Sequence, residues 1–129
     1  MDCDGEEKDR QMNYIKEGFW YGKKEPNLPF PKTSDDKKWM NKKIKFIRKL
    51  ERIEDIIESS INIGKISSYK GFSKCRICKQ KVGSREFEFK NWIWPEGFLH
   101  YIEKHNIKPT DDFIKFINHH SKIIDLLES

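Results

Sequence analysis

The most regular hydrophobic pattern in the chain has apolar residues at every third or fourth position. These residues are Met40, Ile44, Ile47, Leu50, Ile53, Ile57 and Ile61. This spacing is typical of one apolar face of a helix. Ser34 or Asp35 precedes the pattern as a candidate N-cap, and Gly64 follows it. The pattern therefore predicts a long helix over about 36–60.

A second pattern, in which aromatic residues alternate with glutamates, predicts a β-hairpin within residues 83–95. If residues 90–91 form a two-residue loop, Phe89 lies opposite Trp92. Phe87 then pairs in the same way with Trp94. The hairpin is therefore expected to place four aromatic rings on one face.

Two shorter helices are predicted after the hairpin. Pro95-Glu96-Gly97 is typical of a helix start, and residues 98–105 continue to Asn106, a residue type that tolerates left-handed backbone. A last amphipathic helix follows from about Pro109-Thr110-Asp111. Helices that alternate with a hairpin in this way predict an α+β fold, in which the last helix packs on the first.

The N-terminal part of the chain has no long periodic pattern. Residues 1–13 are polar and acidic and are expected to be disordered. Residues 14–35 combine prolines and glycines with large apolar side chains, so we expect an extended arm that packs on the domain. The alternative is that its aromatic side chains are exposed and bind a protein partner.

A chain of 129 residues with 36% hydrophobic residues is long enough for one domain with a small core. The N-terminus is acidic, unlike a signal peptide, and no apolar stretch reaches the length of a membrane span. These observations predict an intracellular protein of a reducing compartment, the cytoplasm or nucleus, or of a virion, without membrane contact.

Positive charge is concentrated in residues 37–82, which contain 14 lysines and arginines but only 4 aspartates and glutamates. Such a segment is expected to attract a phosphate-rich partner, and nonspecific nucleic-acid binding is one hypothesis. The other interpretation is the solvated face of a helix, in a chain whose lysine excess is typical of an AT-rich genome. The candidate contacts are Lys42, Lys43, Lys45, Lys49 and Arg52.

The residues best suited to chemistry are two cysteines and two histidines. Cys75 and Cys78 are separated by two residues, and His100 and His105 follow on a predicted helix after a spacer of 21 residues. Two thiolates and two imidazoles suit tetrahedral zinc, and the ligand order matches the ββα zinc finger, although the spacer is longer than usual. Four protein ligands form a closed site, so one structural Zn²⁺ is predicted.

Three further observations bear on this site. His119 and His120 are adjacent on a predicted helix and are interpreted as ordinary surface or boundary residues, although one of them is an alternative ligand in place of His105. Cys3 is interpreted as an incidental thiol. A ββα-metal nuclease would need a histidine in the hairpin, and residues 83–95 contain none. The sequence thus favours a protein that is not an enzyme and has no small-molecule substrate.

The segments YKGFSKCRIC (69–78), WIWPEGFLHY (92–101) and HNIKP (105–109) resemble a small uncharacterised family of zinc-finger-like proteins from bacteria and large DNA viruses. The resemblance covers residues 69–109. It implies a zinc-binding domain, and the family implies no particular substrate. The lysine and isoleucine bias would fit a viral or other AT-rich source.

Together these observations predict a single zinc-binding domain over residues 14–129. Its predicted parts are an aromatic arm (14–35), a basic helix (36–66), a zinc-finger-like unit with a hairpin and a helix (69–108) and a C-terminal helix (109–129). The predicted function is that of a structural zinc-binding module that acts through binding. Its partner would be a protein or, through the basic segment, nonspecific nucleic acid.

Overall fold

The computed structural model describes residues 14–20, 26–59 and 63–128, which form three helices and a four-stranded mixed sheet. The predicted α+β class is confirmed. The predicted disordered tail (1–13) and Ile61 lie outside the described residues. The strands are β1 (Ile15–Lys16), β2 (Gly64–Lys74), β3 (Lys81–Phe89) and β4 (Trp92–Pro95), and the helices are α1 (Lys37–Ser59), α2 (Phe98–His105) and α3 (Asp111–Glu128).

The sheet has the order β1-β4-β3-β2, with β1 parallel to β4 and the other pairs antiparallel. The predicted hairpin register is confirmed, since Phe87 pairs with Trp94 and Phe89 with Trp92. All four rings are buried, and the Phe87 and Trp94 rings stack with centroids 6.0 Å apart. This aromatic face forms the part of the core that the helices cover.

Helix α1 buries the predicted face from Ile47 onward but not its first two residues. Met40 and Ile44 are 46% and 64% exposed, whereas Trp39 and Phe46 are almost fully buried. The larger aromatic side chains remove more apolar area from water, so they take the buried positions in the first half of the helix. The helix predicted over about 36–60 is confirmed to within one residue at each end, since α1 spans Lys37–Ser59, and the basic segment 36–66 also includes the start of β2 at Gly64.

The ends of two helices differ from the prediction. The N-cap of α1 is Asp36, whose Oδ1 accepts hydrogen bonds from the backbone N–H groups of Lys38 and Trp39. Pro95 ends β4 instead of opening α2, which begins at Phe98. Both differences are of one to three residues, because several adjacent residues in each region could cap or begin the helix.

The arm is extended and packs on the domain, as predicted for part of its length. The Trp20 ring lies 5.7 Å from that of Tyr101, and the buried Glu17 carboxylate accepts hydrogen bonds from the N–H and hydroxyl of Thr110. Phe30, in contrast, is 58% exposed, so the arm buries only part of its large apolar side chains. The arm thereby connects β4 with the start of α3.

Substitution of Gly18 by alanine is expected to destabilise the protein by about 2–4 kcal/mol. Gly18 has a φ of +80°, and an added Cβ would lie 2.5 Å from Cγ of Phe98. Gly71 is the matched control, because its φ is +83° but a Cβ there would meet none of the described residues within 4 Å. Gly71→Ala should cost only about 1 kcal/mol in urea unfolding. Equal losses for the two variants would contradict the predicted overlap.

Candidate metal centre

The two cysteines lie in the turn between β2 and β3. The turn is closed by hydrogen bonds from the Cys75 N–H to the Gln80 carbonyl and from the Lys79 N–H to the Cys75 carbonyl. The Cys75 sulfur accepts the N–H groups of Ile77 at 3.3 Å and Cys78 at 3.4 Å. This turn, which we call the knuckle (residues 75–80), directs both sulfurs to the same side.

The elements around the two cysteines and two histidines follow the predicted order, and a further strand lies before them. The cysteines precede the predicted hairpin, which consists of β3 and β4, but they also follow β2. Three strands, β2, β3 and β4, therefore lie between α1 and α2. The long spacer between Cys78 and His100 is occupied by β3 and β4, which belong to the main sheet.

The two histidines lie on α2. His105 is the last residue of this helix, and Asn106 follows in left-handed conformation with φ 51° and ψ 42°, as predicted. The Thr33 hydroxyl donates a hydrogen bond of 2.9 Å to the His105 carbonyl, and the Asn106 side-chain amide donates to the Ser34 carbonyl at 2.6 Å. The arm thus holds the end of the helix that carries His105.

The structure brings all four predicted ligand residues together. One ligand atom from each of Cys75, Cys78, His100 and His105 lies within 4.8 Å of the other three. The Cys78 sulfur is 3.3 Å from Nε2 of His100. A tetrahedral zinc site with its usual bond lengths places its ligand atoms about 3.3–3.8 Å apart. The four residues are therefore positioned to hold a metal ion, and the donor set is consistent with zinc.

One atom of the cluster tests this fit independently. Nε2 of His105 is buried and has no hydrogen-bond partner among the described residues. A buried nitrogen without a partner is costly in a protein interior. A cation bound at this nitrogen would satisfy it, so the residues present fit a metal ion.

The protonation of the cluster also favours metal binding. Burial raises the pKa of the Cys75 thiol, but the hydrogen bonds from the backbone N–H groups of Cys78 and Ile77 outweigh it and bring the pKa below its usual value. Burial and the nearby His105 and Lys104 lower the pKa of His100. A thiolate and a neutral imidazole are the forms that bind a metal.

Tyr101 forms hydrogen bonds to the knuckle, and the sequence did not predict a role for it. Its hydroxyl accepts a 2.6 Å hydrogen bond from the Arg76 N–H inside the knuckle and donates to the Cys75 sulfur. Burial raises the pKa of Tyr101 to about 12. The only available signal in the sequence was its place next to His100.

Tyr101→Phe is expected to weaken zinc binding about 10-fold. Loss of a hydrogen bond to a metal-binding residue usually lowers metal affinity by about 10- to 100-fold. The ring remains to fill the core, while the hydroxyl that orients the knuckle is removed. Competition with a zinc chelator of known affinity measures the change. Tyr14→Phe, at an exposed tyrosine on the arm, serves as the control and should not change the affinity. An unchanged affinity for Tyr101→Phe would contradict this role.

The second histidine pair is not part of the cluster. The His120 ring packs against the rings of Phe116 and Phe89, with centroids 4.7 Å and 5.0 Å away, and His119 is exposed. Burial and the charge of His119 lower the pKa of His120. Within the described residues, the cluster contains His105 as its fourth member and neither of these two histidines.

Three of the five basic residues considered for nucleic-acid binding make contacts within the fold. Lys43 donates to the Glu103 carbonyl, Lys49 donates to the Asn118 side chain, and Arg52 pairs with Asp125. These contacts join α1 to α2 and α3. Lys42 and Lys45 are exposed on α1. The structure thus separates the predicted set into three residues at helix contacts and two on the open face.

Comparison of the chain with protein-family models, with curated proteins and with solved structures finds no match in any of the three. In the part of the chain that the structure describes, the helices lack the length and apolar character needed to span a bilayer.

Proposed function

We propose that this protein is a zinc-binding module in which one Zn²⁺ is held by Cys75, Cys78, His100 and His105. The observation that carries the proposal is the convergence of two sulfurs and two imidazoles, from the knuckle and from α2, within 4.8 Å of one another. Nε2 of His105, which has no hydrogen-bond partner among the described residues, is an independent observation in its favour. Membership of the family that the cysteine and tryptophan motifs resemble remains a prediction that accords with this proposal.

The zinc in this proposal is structural. A catalytic zinc has three protein ligands and an open position for water, whereas this donor set supplies four ligands. Cys75 is fully buried, which also disfavours access of a substrate. The ion would connect the β2–β3 turn to α2, so its role is to stabilise a surface that acts by binding.

The experiment is native mass spectrometry of the purified protein before and after chelation. We expect one zinc ion per chain, absent from the Cys75→Ser/Cys78→Ser variant. Cys3→Ser is the matched control, because it removes a thiol outside the proposed site and should retain the ion. Zinc that is absent from the parent protein, or that persists in the double variant, would refute the proposal.

A further inference from the structure

A groove lies between the arm and the end of β2 that leads to the knuckle. Its volume is about 570 Å³, and its walls are formed by residues 16–20 of the arm and by residues 69–74. Part of its lining is the ring of Tyr101, against which Trp20 packs, so the groove lies directly beside the proposed zinc site. We call it the arm groove.

The β2 wall of the arm groove is a large bulge. Ser68 pairs with Arg85 and Ser73 with Gly83, so residues 69–72 lie opposite a single residue of β3. A bulge of this kind bends the strand and turns side chains away from the sheet. Gly71, with a φ of +83°, allows the bend, and Phe72 on it is 62% exposed.

The charge of the arm groove favours an anionic occupant. Its lining contains five cationic side chains and one carboxylate, that of Glu86. Glu86 is already engaged, because it accepts a hydrogen bond from the Tyr69 hydroxyl, and Arg85 is paired with Glu58 and Glu96. The Arg76 guanidinium donates to the Lys74 carbonyl, and the lysines of the lining are Lys16, Lys70 and Lys74.

Aromatic rings accompany these cations on both walls. Phe72 lies on the β2 wall, and the ammonium of Lys81, at the start of β3 and outside the lining, is 5.5 Å from the centroid of its ring. On the arm, the Lys16 ammonium lies 5.8 Å from the centroid of Phe19. Aromatic rings next to lysines are the combination that single-stranded nucleic acids require, since bases stack on the rings and phosphates contact the cations.

We propose that the arm groove binds single-stranded nucleic acid, with a base stacked on Phe72 and phosphates at Lys70 and Lys74. A duplex fits this chemistry less well, because its bases already stack on one another and leave no free face for the ring. The proposal extends the proposed function, because Lys74 and Arg76 flank the first zinc ligand, Cys75. It differs from the helix hypothesis, in which the lysines of α1 make the contacts.

The test is fluorescence anisotropy of a labelled single strand of about 12 nucleotides with the zinc-loaded protein. Phe72→Ala should weaken binding about 5- to 100-fold, the usual loss when one stacking ring is removed. Because Phe72 is exposed, the variant is expected to fold and to retain its zinc. Native mass spectrometry of the same sample checks the zinc, so failure of the groove and failure of the metal site are distinguishable.

A matched pair of variants separates the arm groove from helix α1. Lys70→Ala/Lys74→Ala and Lys42→Ala/Lys45→Ala each remove two exposed lysines. The groove variant should weaken binding and reduce the slope of log K against log salt by about 1.4, because each phosphate contact on a single strand contributes about 0.7. The α1 variant should retain nearly the parent affinity.

Four results would overturn the proposal. These are no binding by the zinc-loaded parent at about 50 mM salt, equal weakening by the two lysine variants, tighter binding of duplex than of single strand, and equal binding of an acidic peptide. The last result would indicate an acidic protein as the occupant. Parallel titrations with deoxythymidine and uridine strands show whether DNA or RNA is preferred. Either preference supports binding in the arm groove.

Discussion

Removal of zinc is expected to lower the free energy of unfolding by about 3–9 kcal/mol at roughly 10 µM free zinc. This range follows from the usual binding free energy of structural zinc, about 10–16 kcal/mol, and from the linkage between binding and folding. It is a large share of the stability of a small domain, about 5–15 kcal/mol. The loss should be greatest for α2, because a helix of 8 residues is not stable alone and this one begins without a side-chain cap.

Urea unfolding followed by circular dichroism, with zinc and with chelator, measures this loss. His100→Ala should reproduce most of it, because it removes one ligand and leaves three. His119→Ala is the matched control, since His119 is an exposed histidine outside the cluster. Parent protein that unfolds at the same urea concentration with and without chelator would contradict a structural role for the ion.

The second large effect is expected at Glu54, a carboxyl group in the buried face of α1. Burial raises the pKa of Glu54 to about 8, although the hydrogen bond of 2.9 Å from Nε1 of Trp94 lowers it. The charges of Glu96, Glu51 and Glu58 raise it further. Glu54 is therefore mostly protonated in the folded protein at neutral pH.

The raised pKa makes stability decrease with rising pH. Between pH 4.5 and about 8 the folded protein holds a proton that the unfolded chain has lost. The stabilisation that this proton gives the folded state is therefore complete below pH 4.5 and is lost as pH rises through about 8. A shift of this size corresponds to roughly 2–5 kcal/mol of stability. Above pH 8 the folded protein is destabilised by the full cost of burying the ionised carboxylate.

Glu54→Gln should remove this pH dependence. The amide retains an oxygen that accepts the Trp94 N–H but carries no charge, so the variant should be more stable than the parent at pH 8–9, and the difference should vanish towards acid pH. Asp55→Asn, at an exposed carboxylate next to Glu54, is the control and should leave the slope nearly unchanged. Urea unfolding at a series of pH values, with zinc present throughout, measures both. Parallel profiles for parent and Glu54→Gln would contradict the prediction.

The parts of the structure that depend on local spacing were accessible from the sequence. The hairpin register followed from a two-residue loop between alternating aromatic residues, and the end of α2 at His105 followed from Asn106, which adopts the left-handed conformation. The four residues positioned to hold a metal ion followed from residue type and spacing, because structural zinc sites consist of cysteine and histidine ligands.

Features that depend on distant contacts were not accessible in this way. Strand β2 has no alternation of apolar and polar residues, because it is an edge strand with little buried surface. The pairing of β1 with β4 joins residues that are far apart in the chain. Glu54 accepts a hydrogen bond from Trp94, which is 40 residues away in the chain. The sequence near Glu54 therefore gave no indication that its carboxyl group is buried.

The most direct test of the central claim is X-ray absorption at the zinc K-edge of the zinc-loaded protein. We expect a first shell of two sulfurs at about 2.3 Å and two nitrogens at about 2.0–2.1 Å, with one sulfur fewer in Cys78→Ser. A shell of nitrogen and oxygen without sulfur, or one with a water in place of an imidazole, would contradict the four-ligand site on which the account depends.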